Sequence, residues 1–404
     1  MLQTWRSGTA SYLITLLLGI TGLTAWNAWI TAVPLFQRRL AGSDFETTFE
    51  AWISLVFSLA NLAALTFVLF VKTEPLFRLK FGLFLHGLVF VLVLGLLQFE
   101  LGPSFFFGLV LVLVALSAMA AALQAAAFAV LALYRAPSIC SQAISSGQGV
   151  AGLAVSILAA ANTVSKLDND EAMFVIASLL AIASFVGLNA LPSTVGYVPI
   201  SQNDGDEAEQ EVEEEQVVGS SPDSIDRVKI LSGVWEYGLA IVWDFTVTLA
   251  VFPALTASVK SVRDSNENTS RLFKDLFAPA MFIVFNLGDL IGKLMPGFNA
   301  FKLPGKRVTL YFSLARVVFI PLLLCCNVPK PSLFPTLFGD AEFMFFVLTL
   351  GISNGWIASD ILIQGPLTVR EEYGVEAQGI VADGLVFMLT LGLALGGAAS
   401  IFFV

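Results

Sequence analysis

Apolar positions along the chain come in long, nearly unbroken runs separated by short polar connections. Eleven runs reach the roughly 20 residues that a helix needs to cross the hydrocarbon core of a bilayer. They fall at about 10–35, 50–71, 81–99, 105–133, 142–164, 172–191, 230–255, 275–296, 308–327, 341–364 and 379–404. Several contain Gly or Pro, which membrane helices tolerate where neighbours satisfy the freed backbone groups. The fourth is rich in alanine between Ala115 and Ala129; small side chains let helix backbones approach closely or leave room for a ligand. The first run follows Arg6, is too long for a signal-peptide core and lacks a clear small-residue cleavage site, so it is expected to stay as a membrane helix. The pattern predicts an all-α polytopic membrane protein.

The runs are interrupted once. Residues 201–226 hold ten acidic residues and no Lys or Arg. Like charge and low hydrophobicity predict a disordered linker. The expected organisation is a six-helix bundle over 1–195, an acidic cytoplasmic linker over 196–229 and a five-helix bundle over 230–404. The linker is the expected place for any regulatory partner. Lys and Arg set orientation: with the N-terminus inside, eleven fall on the inner side and eight on the outer. An odd number of helices then puts the C-terminus outside. Asn268-Thr269-Ser270, a glycosylation triplet, falls outside with it.

Composition agrees. Of 404 residues 57% are hydrophobic and 13% charged, with a mean hydropathy of +0.83, too little polar surface for a soluble particle. The net charge of −10 disfavours nucleic acid as a partner, but residues 201–226 carry all of it. The remaining chain balances 21 acidic against 21 basic residues. Three cysteines give no disulfide framework. One histidine, His86, allows neither a zinc site nor a histidine triad. His86 is read as packing or interface. With no nucleophile–base pair or phosphate loop either, an enzyme is disfavoured and no cofactor is expected.

Charges at membrane depth are costly and mark functional positions. Asp289 and Lys293 stand four residues apart on one face of the eighth run, within ion-pair reach, and Asn286 is one turn earlier. A polar clamp for a hydroxylated solute and a structural ion pair are the two readings. Arg316 lies in the ninth run. Asp244 and Asp360 lie deep in the seventh and tenth, where proton coupling competes with partnership to Arg316, Lys293 or a backbone donor. Trp26, deep in the first run, is read as lining the pore. Trp29 and Trp52 are candidate interface anchors. Gln124 in the fourth run can donate and accept, as a nucleobase edge requires; a helix–helix hydrogen bond is the rival reading.

Taken in order, these segments resemble the equilibrative nucleoside transporter family. The resemblance rests on Trp26-Asn27; on Ser146-Gly147-Gln148-Gly149-Val150-Ala151-Gly152; on Phe252-Pro253-Ala254; on Phe285-Asn286-Leu287-Gly288-Asp289; on Ala315-Arg316-Val317-Val318-Phe319-Ile320-Pro321; on Ser353-Asn354-Gly355 with Gly365-Pro366; and on Leu391-Gly392-Leu393-Ala394-Leu395-Gly396. It implies a major-facilitator-like arrangement of six plus five helices, and facilitated diffusion of nucleosides, with nucleobases or proton-linked uptake in some relatives. Carried over by position, Leu23, Trp26 and Ile30 would line the cavity. Ser58 and Asn61 would contribute from the second run, Gln124 would contact the base, and Asn286, Asp289 and Lys293 would hold the ribose. Gly147 and Gly152 would allow close packing near the permeation path. The chain departs from the family at Ala25, which replaces a proline, at Lys293, which replaces an arginine and loses its bidentate fork, and at Ala120, which replaces a glycine. Another small polar solute, a drug-like cation, or a receptor or scaffold docking through the acidic loop are the competing expectations. The plasma membrane is the expected location, with the vacuolar or lysosomal membrane as second choice.

Overall fold

The computed structural model describes residues 2–46, 48–71, 73–125, 127–128, 137–165, 171–195, 227–264, 270–328 and 334–403. The acidic stretch 201–226 and the Asn268-Thr269 part of the glycosylation triplet lie outside the described residues. Every regular element among the described residues is helical. Eleven helical spans are long and apolar enough to cross a bilayer, so the chain is an integral, multi-pass membrane protein.

The principal helices are α1 (Leu2–Thr31), α2 (Phe49–Phe70), α3 (Pro75–Leu97), α4 (Pro103–Gln124), α5 (Pro137–Ser165), α6 (Ala172–Val195), α7 (Trp235–Val251), α8 (Phe277–Leu294), α9 (Lys306–Ala315), α10 (Asp340–Thr368) and α11 (Arg370–Ser400). The boundaries differ from the apolar runs where local chemistry intervenes. Pro75 and Pro103 start α3 and α4, since proline's missing N–H costs nothing in the first turn. This moves the start of α3 six residues ahead of the hydropathy estimate. The seventh run splits into a short helix, Arg227–Ser232, and α7. The ninth breaks into α9, a 3₁₀ turn at Arg316–Val318 and a second short helix, Phe319–Leu324. At Gly374 the backbone takes φ 78°, which bends the first turn of α11 and which glycine alone adopts without strain.

Helices α1–α6 pack chiefly on one another, through α1–α5, α1–α6, α3–α6, α3–α4 and α2–α4; α7–α11 do so through α8–α10, α7–α11, α7–α9 and α10–α11. The largest contacts between the halves are α5 with α8, α2 with α11, and α5 with α10. An aromatic core fills the first half, with the Trp29 ring against Phe36, Phe90 and Phe174. Phe277, Phe285 and Phe343 anchor a second cluster. A third runs across both halves, from Leu18, Leu83 and Ile144 to Tyr237, Ile361 and Leu385. Large apolar side chains such as Phe84, Phe105 and Val186 are exposed on the helix flanks, as expected where the solvent is lipid.

Without water to drive apolar burial, close backbone approach supplies the packing energy, and glycine permits it. On α8, Gly288 and Gly292 face the backbone of Leu348 and Ile352; on α10, Gly351 and Gly355 face the backbone of Phe285 and Asp289. A Cβ at any of the four would overlap a carbonyl oxygen of the other helix. The same device joins α1 to α5, where Gly19 meets the Ile144 carbonyl and Gly147 the Leu16 carbonyl. Overpacking such a contact costs about 1–3 kcal/mol. Gly355→Ala should therefore lower the melting temperature in detergent by several degrees. Gly397→Ala, where a Cβ meets nothing within 4 Å, should leave it unchanged; equal melting curves for the two variants would remove the close-packing account.

Candidate functional site

The break in the ninth span puts a guanidinium at the centre of the second half. Arg316 is 3% exposed and sits at the start of the 3₁₀ turn, where the chain swings its side chain inward between α7 and α10. Its Nη1 donates to the Asp244 backbone carbonyl at 2.7 Å and pairs with the Asp244 carboxylate. Nη2 donates to Thr248 Oγ1 at 2.8 Å and to the Leu350 carbonyl at 3.1 Å, and Nε donates to Ser353 Oγ at 3.0 Å. All five guanidinium hydrogens are thereby accommodated.

The network continues toward α8. The Thr248 hydroxyl donates to Asn354 Oδ1 at 2.9 Å, and Asn354 Nδ2 donates to Asp289 Oδ1 at 2.7 Å. Asp289 Oδ2 stands 2.7 Å from Lys293 Nζ. One hydrogen-bonded chain thus runs from Asp244 on α7 through Arg316, Thr248 and Asn354 to the Asp289–Lys293 pair. A buried charge is tolerable only when paired and hydrogen-bonded, and here both acids meet their bases within the same half.

Asn286 occupies the same face of α8 one turn before Asp289 and points at the other half. A Cβ added at Gly152 on α5 would collide with Asn286 Oδ1 and touch Leu23 Cδ2 of α1. One turn away, a Cβ at Gly149 would sit 3.0 Å from the Leu290 Cα. Leu23, Gly152 and Asn286 therefore meet where α1, α5 and α8 converge, and Asp289 and Lys293 follow Asn286 along α8, one and two turns on. Trp26, one turn beyond Leu23, is half-buried and meets the Phe57 ring of α2 at 4.9 Å. Ile30 and Ser58 are exposed. Asn61 donates to the Ala118 carbonyl at 3.0 Å and so ties α2 to α4.

Gln124 stands apart from that convergence. Its Nε2 lies 2.8 Å from His86 Nδ1 on α3 and donates to the Ala120 carbonyl at 3.2 Å. Asp360 is also separate: it accepts from the Leu303 N–H at 3.3 Å, and with Trp356, whose indole donates to the Phe301 carbonyl at 2.7 Å, it pins the α8–α9 connection onto α10.

Several participants were given no role in the site from the sequence. Thr248 follows Asp244 by four residues and so shares its helix face. Asn354 lies between Gly351 and Gly355, where a polar side chain amid small residues can reach a neighbouring helix. Arg78 at the start of α3 donates from Nη2 to Asp383 Oδ2 of α11 at 2.8 Å. This ion pair joins the two halves and is nearly buried. Nothing local in the sequence marks it, because 305 residues separate the partners. Among the described residues no group of three or more His, Cys, Asp or Glu gathers to hold a metal, and Cys140, Cys325 and Cys326 are free thiols.

Comparison with known proteins bears on this geometry. The chain is similar to human equilibrative nucleoside transporter 2, 28% identical over 96% of this chain and 95% of that protein. It is similar to rat equilibrative nucleoside transporter 1 at 30%, covering 97% and 96%. Among solved structures it resembles a bacterial homologue of the iron transporter ferroportin in an outward-facing state, with a TM-score of 0.60 at 12% identity, over 97% of this chain and 92% of that one. It also resembles the human organic anion transporter MFSD10, with a TM-score of 0.56 at 13% identity, over 98% and 94%. These two likenesses speak to the fold, that of major-facilitator-type transporters. The profile of the Nucleoside transporter family matches residues 110–404, which takes in most of α4 and all of α5 through α11, and with them Gly152, Asp289, Lys293 and Arg316: the chain belongs to the nucleoside transporter family.

Proposed function

We propose that this protein moves nucleosides across its membrane by facilitated diffusion, with one midplane site exposed alternately to the two sides as the halves rock. The observation that carries the reading is the buried Asp289–Lys293 pair of α8, one turn after Asn286, whose amide oxygen faces Gly152 of α5. A ribose offers two adjacent hydroxyls. One can donate to the Asp289 carboxylate while the other accepts from the Lys293 ammonium, and bonds to charged groups are the stronger kind. A free nucleobase lacks the diol and forfeits both contacts, so nucleosides are the preferred substrates. The base would lie near Trp26, whose ring offers a stacking face, with Leu23 and Ile30 as apolar walls and Ser58 and Asn61 as polar neighbours. Lys293 supplies a point charge rather than a fork, so recognition of the ribose is less directional than an arginine would give.

With the N-terminus cytoplasmic, the Arg78–Asp383 pair lies at the inner end of the seam between the halves. It serves as a latch that the inward-open state must break. Asp244 is committed to Arg316 and Asp360 to a backbone amide. Each carboxylate keeps its second oxygen buried and unpartnered, so uptake at external pH 5.5 and 7.5 tests coupling: equal rates exclude it, and a rise at pH 5.5 that is lost in Asp244→Asn or Asp360→Asn identifies the coupling acid. The acidic linker is a tether between the halves, open to a regulatory partner, and the plasma membrane is the proposed location.

Uptake of labelled uridine and adenosine in cells lacking nucleoside transport tests the assignment. Saturable uptake of both is expected; none, with the protein present at the surface, would refute it. Asp289→Asn removes a hydrogen bond to a charged group, worth about 1.5–3 kcal/mol, and should cut uptake roughly 10- to 150-fold. Wild-type rates at matched surface level would exclude the ribose clamp. For the latch, Arg78→Gln or Asp383→Asn alone leaves a buried charge unpaired, which costs about 3–5 kcal/mol, and each should depress uptake. The exchanged pair, Arg78→Asp with Asp383→Arg, should recover much of the loss; additive losses instead would remove the latch.

A further inference from the structure

Asp289 is held from two directions. Lys293 Nζ lies 2.7 Å from its Oδ2, and Asn354 Nδ2 donates to its Oδ1 at 2.7 Å. The two contacts differ in what they constrain. Lys293 stands one turn on along the same helix and carries three rotatable donors on a flexible four-carbon stem, so its ammonium follows the carboxylate wherever it turns. Asn354 comes from another helix. It is 5% exposed, and main-chain contact sets its place on α10: a Cβ at Gly351 or Gly355, on either side of it, would overlap the Phe285 or the Asp289 carbonyl.

The Asn354 amide is itself fixed at both ends. A carboxylate paired with lysine only accepts, so the atom against Asp289 is the NH₂ nitrogen, and the amide oxygen is left for Thr248. The Thr248 hydroxyl donates to that oxygen at 2.9 Å and shares its proton with the Asp244 carbonyl, also at 2.9 Å. Arg316 Nη2 donates to the same hydroxyl at 2.8 Å. The amide is therefore anchored on α7 and the ninth span, independently of α8.

The need for such an anchor lies in aspartate itself. The torsion that sets the plane of its carboxylate has broad wells rather than sharp ones. With a lysine alone beside it, the group can turn both oxygens to the ammonium, and a pair that satisfies itself has less to offer a solute. A donor fixed on Oδ1 opposes that turn and leaves Oδ2 to Lys293 and a second donor.

We propose that Asn354 is a positioning residue for the ribose clamp: its hydrogen bond to Oδ1 fixes the plane of the Asp289 carboxylate, so that Oδ2 and the Lys293 ammonium meet the two ribose hydroxyls together. This rests on the reading above that the Asp289–Lys293 pair holds the ribose. A solute without the diol gains nothing from that alignment, so recognition of the diol is what depends on Asn354.

The test compares uridine with 2′,3′-dideoxyuridine, which lacks both ring hydroxyls, in transport-null cells expressing the full-length protein, with KM and maximal rate determined separately. The wild type should favour uridine in rate over KM. Asn354→Leu keeps the bulk and removes the donor. Its KM for uridine should rise about tenfold, the weight of one hydrogen bond, while that for dideoxyuridine stays unchanged, so the preference for uridine falls by the same factor. Thr248→Val removes the hydroxyl behind the amide; because that proton is shared, the uridine KM should move the same way by less. A merely structural role would change surface level or maximal rate for both solutes alike and leave their ratio untouched. An unchanged uridine preference in Asn354→Leu overturns the proposal. If Asn354→Leu does not reach the membrane, Thr248→Val decides: a preference lowered through the uridine KM supports the proposal, and an unchanged one overturns it. A wild type that transports the two solutes equally well, or no nucleoside at all, would overturn the clamp itself and the proposal with it.

Discussion

The contact on which the second half depends is the backbone-to-backbone approach of α8 and α10. Glycines on both helices, Gly288 and Gly292 against Gly351 and Gly355, bring main chains together with no side chain between them. That spacing is what allows Asn354 to reach Asp289 across the helix pair. Through Asn354, the Asp289 carboxylate is coupled to Thr248 and Arg316, and so to α7 and the broken ninth span. A larger residue at any of these glycines would disturb the packing and, with it, the orientation of Asp289.

The two halves solve the burial of polar groups differently. The second half holds ion pairs at depth, Asp244 with Arg316 and Asp289 with Lys293. The interior contacts described for the first half use neutral groups: Trp29 Nε1 donates to Ser117 Oγ at 3.0 Å, Thr21 and Ser184 share a bond of 2.7 Å, and Gln124 meets His86. A nucleoside is divided in the same way, with a polar, hydroxyl-rich sugar and a flat base that is apolar on its faces and neutral at its edge. Charged groups suit the sugar, and aromatic and neutral amide groups suit the base.

The number of helices and the membrane class were legible in the sequence because bilayer thickness imposes a length that composition reveals directly. The Asp289–Lys293 pair was legible for a similar reason: its partners are one helical turn apart, and periodicity alone brings them together. What escaped was the long-range pairing. Arg78 and Asp383 look like unrelated residues near helix starts, and only the packing of α3 and α11 in three dimensions makes them a couple. The break at Arg316–Val318 also escaped, since 308–327 reads as one apolar run; the turn is held by five hydrogen bonds to other helices, none of them local. Gln124 was read as able to donate and accept, but its surroundings leave only the accepting end unused.

The pairing of interior charges has a consequence for energetics beyond folding. Moving one elementary charge through the full membrane potential changes the free energy by about 2.3 kcal/mol per 100 mV. In the second half two deep acids each sit beside a base, Asp244 with Arg316 and Asp289 with Lys293, while Asp360 accepts from a backbone amide. A rigid swing of that half therefore carries no net charge from these two pairs across the electric field. With an uncharged solute aboard, the loaded and empty proteins respond to voltage alike. In the proposed carrier these two pairs then add no voltage term to the direction of net flow.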